Sequence, residues 1–261
     1  HIGEEKADVY LLLPPGMEAH SFEPKPSDIV KINKADLFVY TDKYMEPWAD
    51  DLVRSVTNRN LLVVEAGRGT RTIPAVSHDS DEPAGAPDPH IWLDFDNAKI
   101  MAGNIAAAFE ANDPTNKDCY RKNLEDYRKR LFEVDDAYRR TLSHCRSREI
   151  VFGGHYALGY LAHRYGLKHV AAQGVSPDAE PTAGDLKNLV TQIREHRIRY
   201  VFYEKLSSPE VAETVAGETD AKLMPLSAAH NVTRDQIERG VTFFDIMQTN
   251  LHSLKTGLGC E

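Results

Sequence analysis

Apolar and polar residues alternate along this chain in short blocks separated by turn-forming residues, and the theme runs through two halves. Val9 to Leu13 is an apolar run that stops at Pro14-Pro15-Gly16, the pattern of a strand entering a loop. Pro26-Ser27-Asp28-Ile29-Val30 opens a short helix, with proline suited to its first turn. Leu37-Phe38-Val39-Tyr40 and Leu61-Leu62-Val63-Val64 read as the next two strands. A polar loop rich in Asp, Pro and Gly follows from Ser77 to Asp88, and Asp94 reads as the N-cap of a helix reaching Glu110.

From Asp113-Pro114 the pattern becomes helical for about thirty residues. Tyr120, Leu124, Tyr127, Leu131, Val134 and Tyr138 recur at helical steps and form one apolar stripe. At ~1.5 Å per residue this helix is ~40–45 Å long, enough to run the height of both halves. It is either a stiff connector between them or a long core helix.

The second half repeats the alternation. Strands are predicted at Glu149–Phe152, His169–Ala171, Tyr200–Tyr203 and Lys222–Pro225. Helices are predicted near Tyr156–Tyr165, Gly184–His196, Pro209–Glu218 and Thr242–Leu258. Strands separated by helices in this way predict an α/β protein with mostly parallel sheets covered by helices. In such sheets ligands bind where loops leave the carboxyl ends of the strands.

Composition narrows the function classes. Of 261 residues, 41% are hydrophobic and 27% charged, which suits a globular protein able to bury a core. The net charge of −9, with no basic stripe, argues against a nucleic-acid partner. No apolar run is long enough to span a bilayer. The three cysteines, Cys119, Cys145 and Cys260, form no CxxC pair, which disfavours a thiolate zinc site. They allow one disulfide and a free thiol, or three thiols.

The chemistry rests on histidines. His20 lies in Pro-Pro-Gly-Met-Glu-Ala-His, His90 in Asp-Pro-His-Ile-Trp-Leu-Asp, and His155 in Phe-Gly-Gly-His-Tyr. Rigid turns around an imidazole fix its direction at small entropic cost, as a metal ligand requires. Each His taken alone is more often a loop or cap residue, and their separations form no local zinc motif. His78, His144, His163, His169, His196 and His252 lack such settings and read as structural or surface residues. Trp92 reads as a packing residue beside His90.

The segment Leu11-Leu-Leu-Pro-Pro-Gly-Met-Glu-Ala-His-Ser-Phe-Glu-Pro-Lys-Pro-Ser-Asp28 resembles the first ligand segment of the TroA/ZnuA-like zinc- and manganese-binding proteins of ABC importers. Asp88 to Asp94 looks like that family's second ligand segment, Gly153 to Tyr160 its third, and Phe243 to Leu251 its closing helix. The resemblance implies two Rossmann-like α/β lobes with mostly parallel sheets, joined by one long rigid helix. Residues 1–112 would form the first lobe, 113–145 the linking helix and 146–261 the second lobe. One Zn2+ would sit in the cleft, held by His20 and His90 from the first lobe and His155 from the second.

The family's fourth ligand position, commonly an aspartate, has none at the matching place here. His230 falls there within about a residue and is expected as the fourth ligand. A water-filled position and Asp235 are the alternatives. Glu204 is expected to orient a ligand imidazole by hydrogen bonding, with Glu18 a weaker candidate for the same work. Imidazoles favour zinc, with copper or nickel as competitors, while manganese prefers carboxylates. Manganese-type relatives tend to carry a glutamate where His155 stands. The loop Ser77–Pro87 sits where zinc-type relatives often carry a histidine-rich insert, and here it reads as a solvated loop.

By resemblance, the function is extracytoplasmic capture of Zn2+ and delivery to an ABC importer, with its membrane permease and ATPase as partners. Such a protein is expected to be monomeric and periplasmic, or lipid-anchored on the outer face of the cytoplasmic membrane. Another divalent metal such as Mn2+ is the first alternative. A zinc hydrolase is the second, but the chain lacks HExxH and GxSxG. Family members also carry a strand and a helix before the segment matching Ala7–Leu13, of which this chain has at most a remnant at His1–Gly3. The first lobe is therefore either truncated in this sequence or built differently, and apolar edges are expected to be exposed there.

Overall fold

A computed structural model of the chain describes residues 1–75, 86–177, 180–206 and 208–261. Helix α1 (Pro26–Ile32) begins where Pro26 needs no hydrogen-bond partner for its nitrogen, and the Asp28 carboxylate accepts from the Lys25 backbone N–H at 2.9 Å. Strand β1 (Leu37–Tyr40), helix α2 (Ala49–Arg54) and strand β2 (Leu62–Glu65) follow. The two strands pair in parallel, Leu37 opposite Leu62. Helix α3 (Phe95–Asn112) starts where predicted, with the Asp94 side chain accepting from the Asp96 N–H.

Helix α4 (Lys117–Leu142) has 26 residues, about 39 Å at the usual rise. Its predicted stripe is the buried one. Leu131 and Tyr138, with Tyr127 and Val134 against them, enter the principal core, while Tyr120 and Leu124 pack in a separate cluster with Ile2, Ala102 and Ala106. Beyond it, strand and helix alternate as β3 (Glu149–Phe152), α5 (Gly159–Tyr165), β4 (Lys168–Ala171), α6 (Ala183–His196), β5 (Tyr200–Tyr203), α7 (Glu210–Gly217) and β6 (Lys222–Pro225). The four strands form one parallel sheet in the order β4-β3-β5-β6. The chain closes with α8 (Arg234–Glu238) and α9 (Phe243–Leu258), the latter opened by a Thr242–Asp245 capping box. The result is a mixed α/β fold of two lobes, each with a parallel sheet, spanned by the long helix.

The principal core does not belong to one lobe. Ile91, Leu93 and Phe95 before and at the start of α3 join Leu131 and Tyr138 of α4, Ile150 and Phe152 of β3, and Met247 and Leu254 of α9 in one buried cluster. The Tyr138 hydroxyl, fully buried, donates to the Met247 carbonyl at 2.6 Å. A second cluster lies between the sheet and α6 and α7, and includes Val151, Leu189, Val201 and Val215. The first lobe's own core is smaller, built from Ile32, Phe38, Ala49 and Leu52.

The chief departure from expectation is at Val9–Leu13, which forms no strand. Val9 is 83%, Tyr10 64% and Leu11 49% exposed, and only Leu13 of the run is buried. A strand needs a neighbour to take its backbone hydrogen bonds, and β1 pairs with β2 alone among the described residues. Leu62 and Val63 of β2 are also exposed, as expected of an apolar edge left uncovered. The cysteines resolve as a Cys145–Cys260 disulfide tying the end of α4 to the end of α9, with Cys119 free. Residues 76–85, which include His78 and most of the predicted polar loop, lie outside the described residues.

Candidate metal centre

Two of the candidate histidines adjoin regular elements, and the third lies in a loop held by packing and a hydrogen bond. His155 follows β3 across Gly153-Gly154, and the first glycine is required by packing, because a Cβ on Gly153 would lie 2.5 Å from the Ala212 methyl of α7. His90 precedes the single turn Ile91–Leu93 that runs into α3. His20 lies in the loop between Pro14 and α1, whose neighbours Ala19 and Phe22 pack with Leu13 and Met45. The Trp48 indole N–H fixes that loop by donating to the Ala19 carbonyl at 2.8 Å.

The three rings converge. His20, His90 and His155 each offer a ligand atom, all within 4.8 Å of one another. The Nε2 atoms of His90 and His155 are 3.3 Å apart. Two nitrogens ~2.0–2.1 Å from one tetrahedral zinc are separated by ~3.3–3.4 Å, so this spacing matches one edge of a zinc tetrahedron. His20 Nε2 is buried without a hydrogen-bond partner, as expected of a lone pair reserved for a cation.

Outer contacts set the direction of each ring. The Asp88 carboxylate accepts from the His90 backbone N–H at 3.0 Å and lies 2.8 Å from Nδ1. A proton held on Nδ1 leaves the Nε2 lone pair facing the cluster. Burial pushes the Asp88 carboxyl up to about 7, opposed by the His90 backbone hydrogen bond and by the charge of His20. The Tyr44 backbone lies behind the His20 ring and, with the charge of Glu18, works against the lowering that burial imposes. Burial holds His20, His90 and His155 below the ordinary imidazole range, and neighbouring histidines reinforce this at His90 and His155. The rings are thus neutral at physiological pH, the form that binds metal.

His230 lies beside this triad, its ring centroid 6.0 Å from that of His155. Its Nε2 faces Glu18 Oε2 at 3.3 Å, and Nδ1 lies 3.9 Å from Glu204 Oε2. Burial pulls its imidazolium down, but the hydrogen bond to Glu18 and the charges of Glu204 and Glu18 outweigh this, and the net direction is up. Burial likewise pushes Glu18 up, yet His230, His20 and His155 hold it well below the carboxylate range. Glu204 Oε1 accepts from the Ser227 hydroxyl and the Ala228 N–H, while Oε2 has no hydrogen-bond partner. Asp235 lies on the surface in the first turn of α8, paired with Arg239 at 2.7 Å and away from the buried rings.

Several contributors were not singled out from the sequence. Asp88 is the carboxylate on His90, and its signal was an acid two residues before a histidine, the spacing of an Asx turn. The Tyr44 backbone carries no sequence signal at all. Trp92 packs on the His90 ring, as read from the sequence, but its indole N–H reaching across the cleft to the Ala228 carbonyl at 2.8 Å had no sequence signal. His169 is buried on β4 against Tyr156, whereas His144, His163, His196 and His252 are exposed.

Known proteins resemble this chain in sequence and fold. The high-affinity zinc uptake system protein ZnuA of Bacillus subtilis is 37% identical over 264 residues, covering 98% of this chain and 82% of that protein. The zinc-binding protein AdcA of Streptococcus pyogenes is 32% identical over 95% of this chain, which spans about half of that longer protein, 51%. The crystal structure of the Zn(II)-bound ZnuA-like domain of Streptococcus pneumoniae AdcA superposes with a TM-score of 0.82 at 31% identity, covering 98% of this chain and 92% of that one. The family model described as zinc-uptake complex component A, periplasmic, matches residues 1–257. By fold, by the convergence of its histidines and by this match over nearly its whole length, the chain belongs to the ZnuA family.

Proposed function

We propose that this protein captures one Zn2+ outside the cytoplasm and delivers it to an ABC importer, holding the ion with His20, His90, His155 and His230. The observation that carries this reading is the 3.3 Å approach of two buried imidazole nitrogens, with a third unpartnered nitrogen beside them. His230 supplies the fourth corner by turning from Glu18 toward the ion, while Glu204 steadies its other nitrogen. An all-imidazole set suits zinc better than Mn2+, which prefers oxygen donors. Four protein ligands leave no open position for an activated water, so the protein performs no chemistry on its cargo.

The first lobe spans residues 1–112, the linking helix 113–145 and the second lobe 146–261. The partners are a membrane permease and its ATPase, and the binding protein acts as a monomer, periplasmic or anchored by lipid to the outer face of the cytoplasmic membrane. The Cys145–Cys260 disulfide supports an oxidising location. Competitive titration of the metal-free protein against a chromophoric zinc chelator tests the site. Wild type should bind one equivalent, and His155→Ala should lose at least about a hundredfold in affinity, ~2.7 kcal/mol. Equal affinity in the two proteins removes the site from this cleft.

A further inference from the structure

The loop after β6 closes over the histidines, and its contacts with the first lobe are concentrated on one side chain. Among the described residues, four hydrogen bonds besides the His230–Glu18 pair join residues 228–232 to the first lobe. The Asn231 carboxamide N–H groups donate to the Pro14 carbonyl at 3.0 Å and the Met17 carbonyl at 2.6 Å. The Gly16 N–H donates to the Val232 carbonyl at 3.0 Å, and the Trp92 indole to the Ala228 carbonyl. The Asn231 acceptor, Oδ1, takes the Val232 N–H at 2.7 Å, so both donors and the oxygen of the amide are engaged.

This seam differs from the rest of the interlobe contact, where polar bonds from Arg164 and Tyr160 of α5 to the first lobe border a shared apolar core. Elsewhere the lobes share an apolar core, and parting them would expose Phe95, Leu131, Phe152 and Met247 to water. Along residues 14–17 and 229–232 the contacts are hydrogen bonds, each of which water can replace when the loops separate. The seam is also thin. Met17 is 45% exposed on its outer side, whereas the His230 side chain just beneath is 2% exposed. Ala229, the residue before His230, is held at φ +56°, a left-handed conformation that a non-glycine residue adopts only when its surroundings impose it.

We infer that Asn231 is a positioning residue that latches the second-lobe loop onto Pro14–Met17, and that zinc leaves by parting this seam rather than by separation of the lobes. The inference rests on the zinc-binding reading above. Asn231 touches no ligand atom. It sets where His230 stands over the triad and how long the loops remain shut. Removing its two donors leaves the triad and its outer contacts intact but lets the loop lift.

The test compares zinc-loaded wild type with Asn231→Ala, Asn231→Leu and Asn104→Ala, each mixed with excess chromophoric chelator in a stopped-flow instrument. Asn104 is the matched control, since its amide also donates to two backbone carbonyls, Ala66 and Arg68, but within the first lobe. Both Asn231 variants should release zinc about tenfold faster than wild type, equivalent to ~1.4 kcal/mol in the release barrier. Asn104→Ala should release at the wild-type rate even if its melting temperature falls. Hydrogen exchange of the peptide covering residues 14–18 gives a readout that needs no metal, and the Gly16 amide should lose protection in the Asn231 variants alone. Wild-type release rates in either folded Asn231 variant, or equal acceleration in Asn104→Ala, would overturn the latch. A wild-type protein that takes no zinc but keeps Asn231-dependent protection at Gly16 would instead overturn the metal reading and the release route together, leaving only an interlobe contact.

Discussion

At the scale of single residues, the centre depends as much on what stands behind the imidazoles as on the imidazoles themselves. Asp88 is fully buried, accepts from two nitrogens of His90, and packs so closely on Gly159 that a Cβ there would lie 2.4 Å from its Oδ2. Asp88→Asn should weaken zinc binding about 10- to 100-fold by freeing the His90 ring, with the fold intact, as chelator competition and circular dichroism would report. Gly159→Ala should act in the same direction by pushing the carboxylate away. An unaltered affinity in both variants would mean that His90 needs no support.

Protonation of the same residues also governs stability. Burial depresses His90 and His155 in the folded state, so the unfolded chain takes up protons that the folded rings refuse once pH falls below about 6.5. Their contribution is present above that pH and is lost as pH drops toward the depressed values. His230 is raised, so its contribution is present below about 6.5 and is lost as pH rises through its folded value. Asp88, pushed up to about 7, acts in the same sense as His230. His20 and His169, the latter held down to about 3, add to the two depressed rings, and the melting temperature of the metal-free protein should fall between pH 7 and pH 5. A flat or rising profile would show that the rings are not buried neutral.

At the scale of elements, α5 is pinned to the first lobe and to the linking helix by a single arginine. The Arg164 guanidinium, 6% exposed, reaches Asp94 at the α3 N-cap, Asp96 beside it, and Asp135 of α4 at 2.6 Å. Asp135 also accepts from the Tyr165 hydroxyl. Removing one member of a buried pair leaves the other charged and unpaired, at a cost of roughly 3–5 kcal/mol. Arg164→Met should therefore destabilise the protein by about that much in urea unfolding. A loss under about 1 kcal/mol would place the cluster with weak surface pairs. The predicted strand at Val9–Leu13 failed at this scale, since a continuous apolar run encodes a strand only when another strand lies beside it.

At the scale of the whole molecule, a helix of 26 residues and a core shared between the lobes oppose large hinge motion. Ile91, Tyr138, Phe152 and Met247 belong to one buried cluster, so any swing of the lobes would expose apolar surface at roughly 25 cal/mol per Å2. Small-angle scattering should give radii of gyration that agree within about 0.5 Å between zinc-loaded and metal-free protein, against a radius of roughly 18 Å for a chain of this length. A clearly larger change would mean that the core opens and that cargo leaves by lobe separation.

The alternation of short strands and helices, the stripe on α4 and the capped start of α3 were all legible in the sequence, because periodicity and capping are local properties of the chain. The three histidine segments were legible as stiff turns, and their order matched a family pattern. What the sequence did not carry is everything that depends on distant residues meeting: the 3.3 Å approach of His90 to His155, the Tyr44 backbone behind His20, Glu18 facing His230, and Asn231 bridging to Pro14 and Met17. These contacts join residues far apart in the chain, and no local preference encodes a distance. Packing of the two lobes against α4 brought them together; burial then holds His20, His90 and His155 down, while the carboxylates of Glu18 and Glu204 push His230 up against its burial.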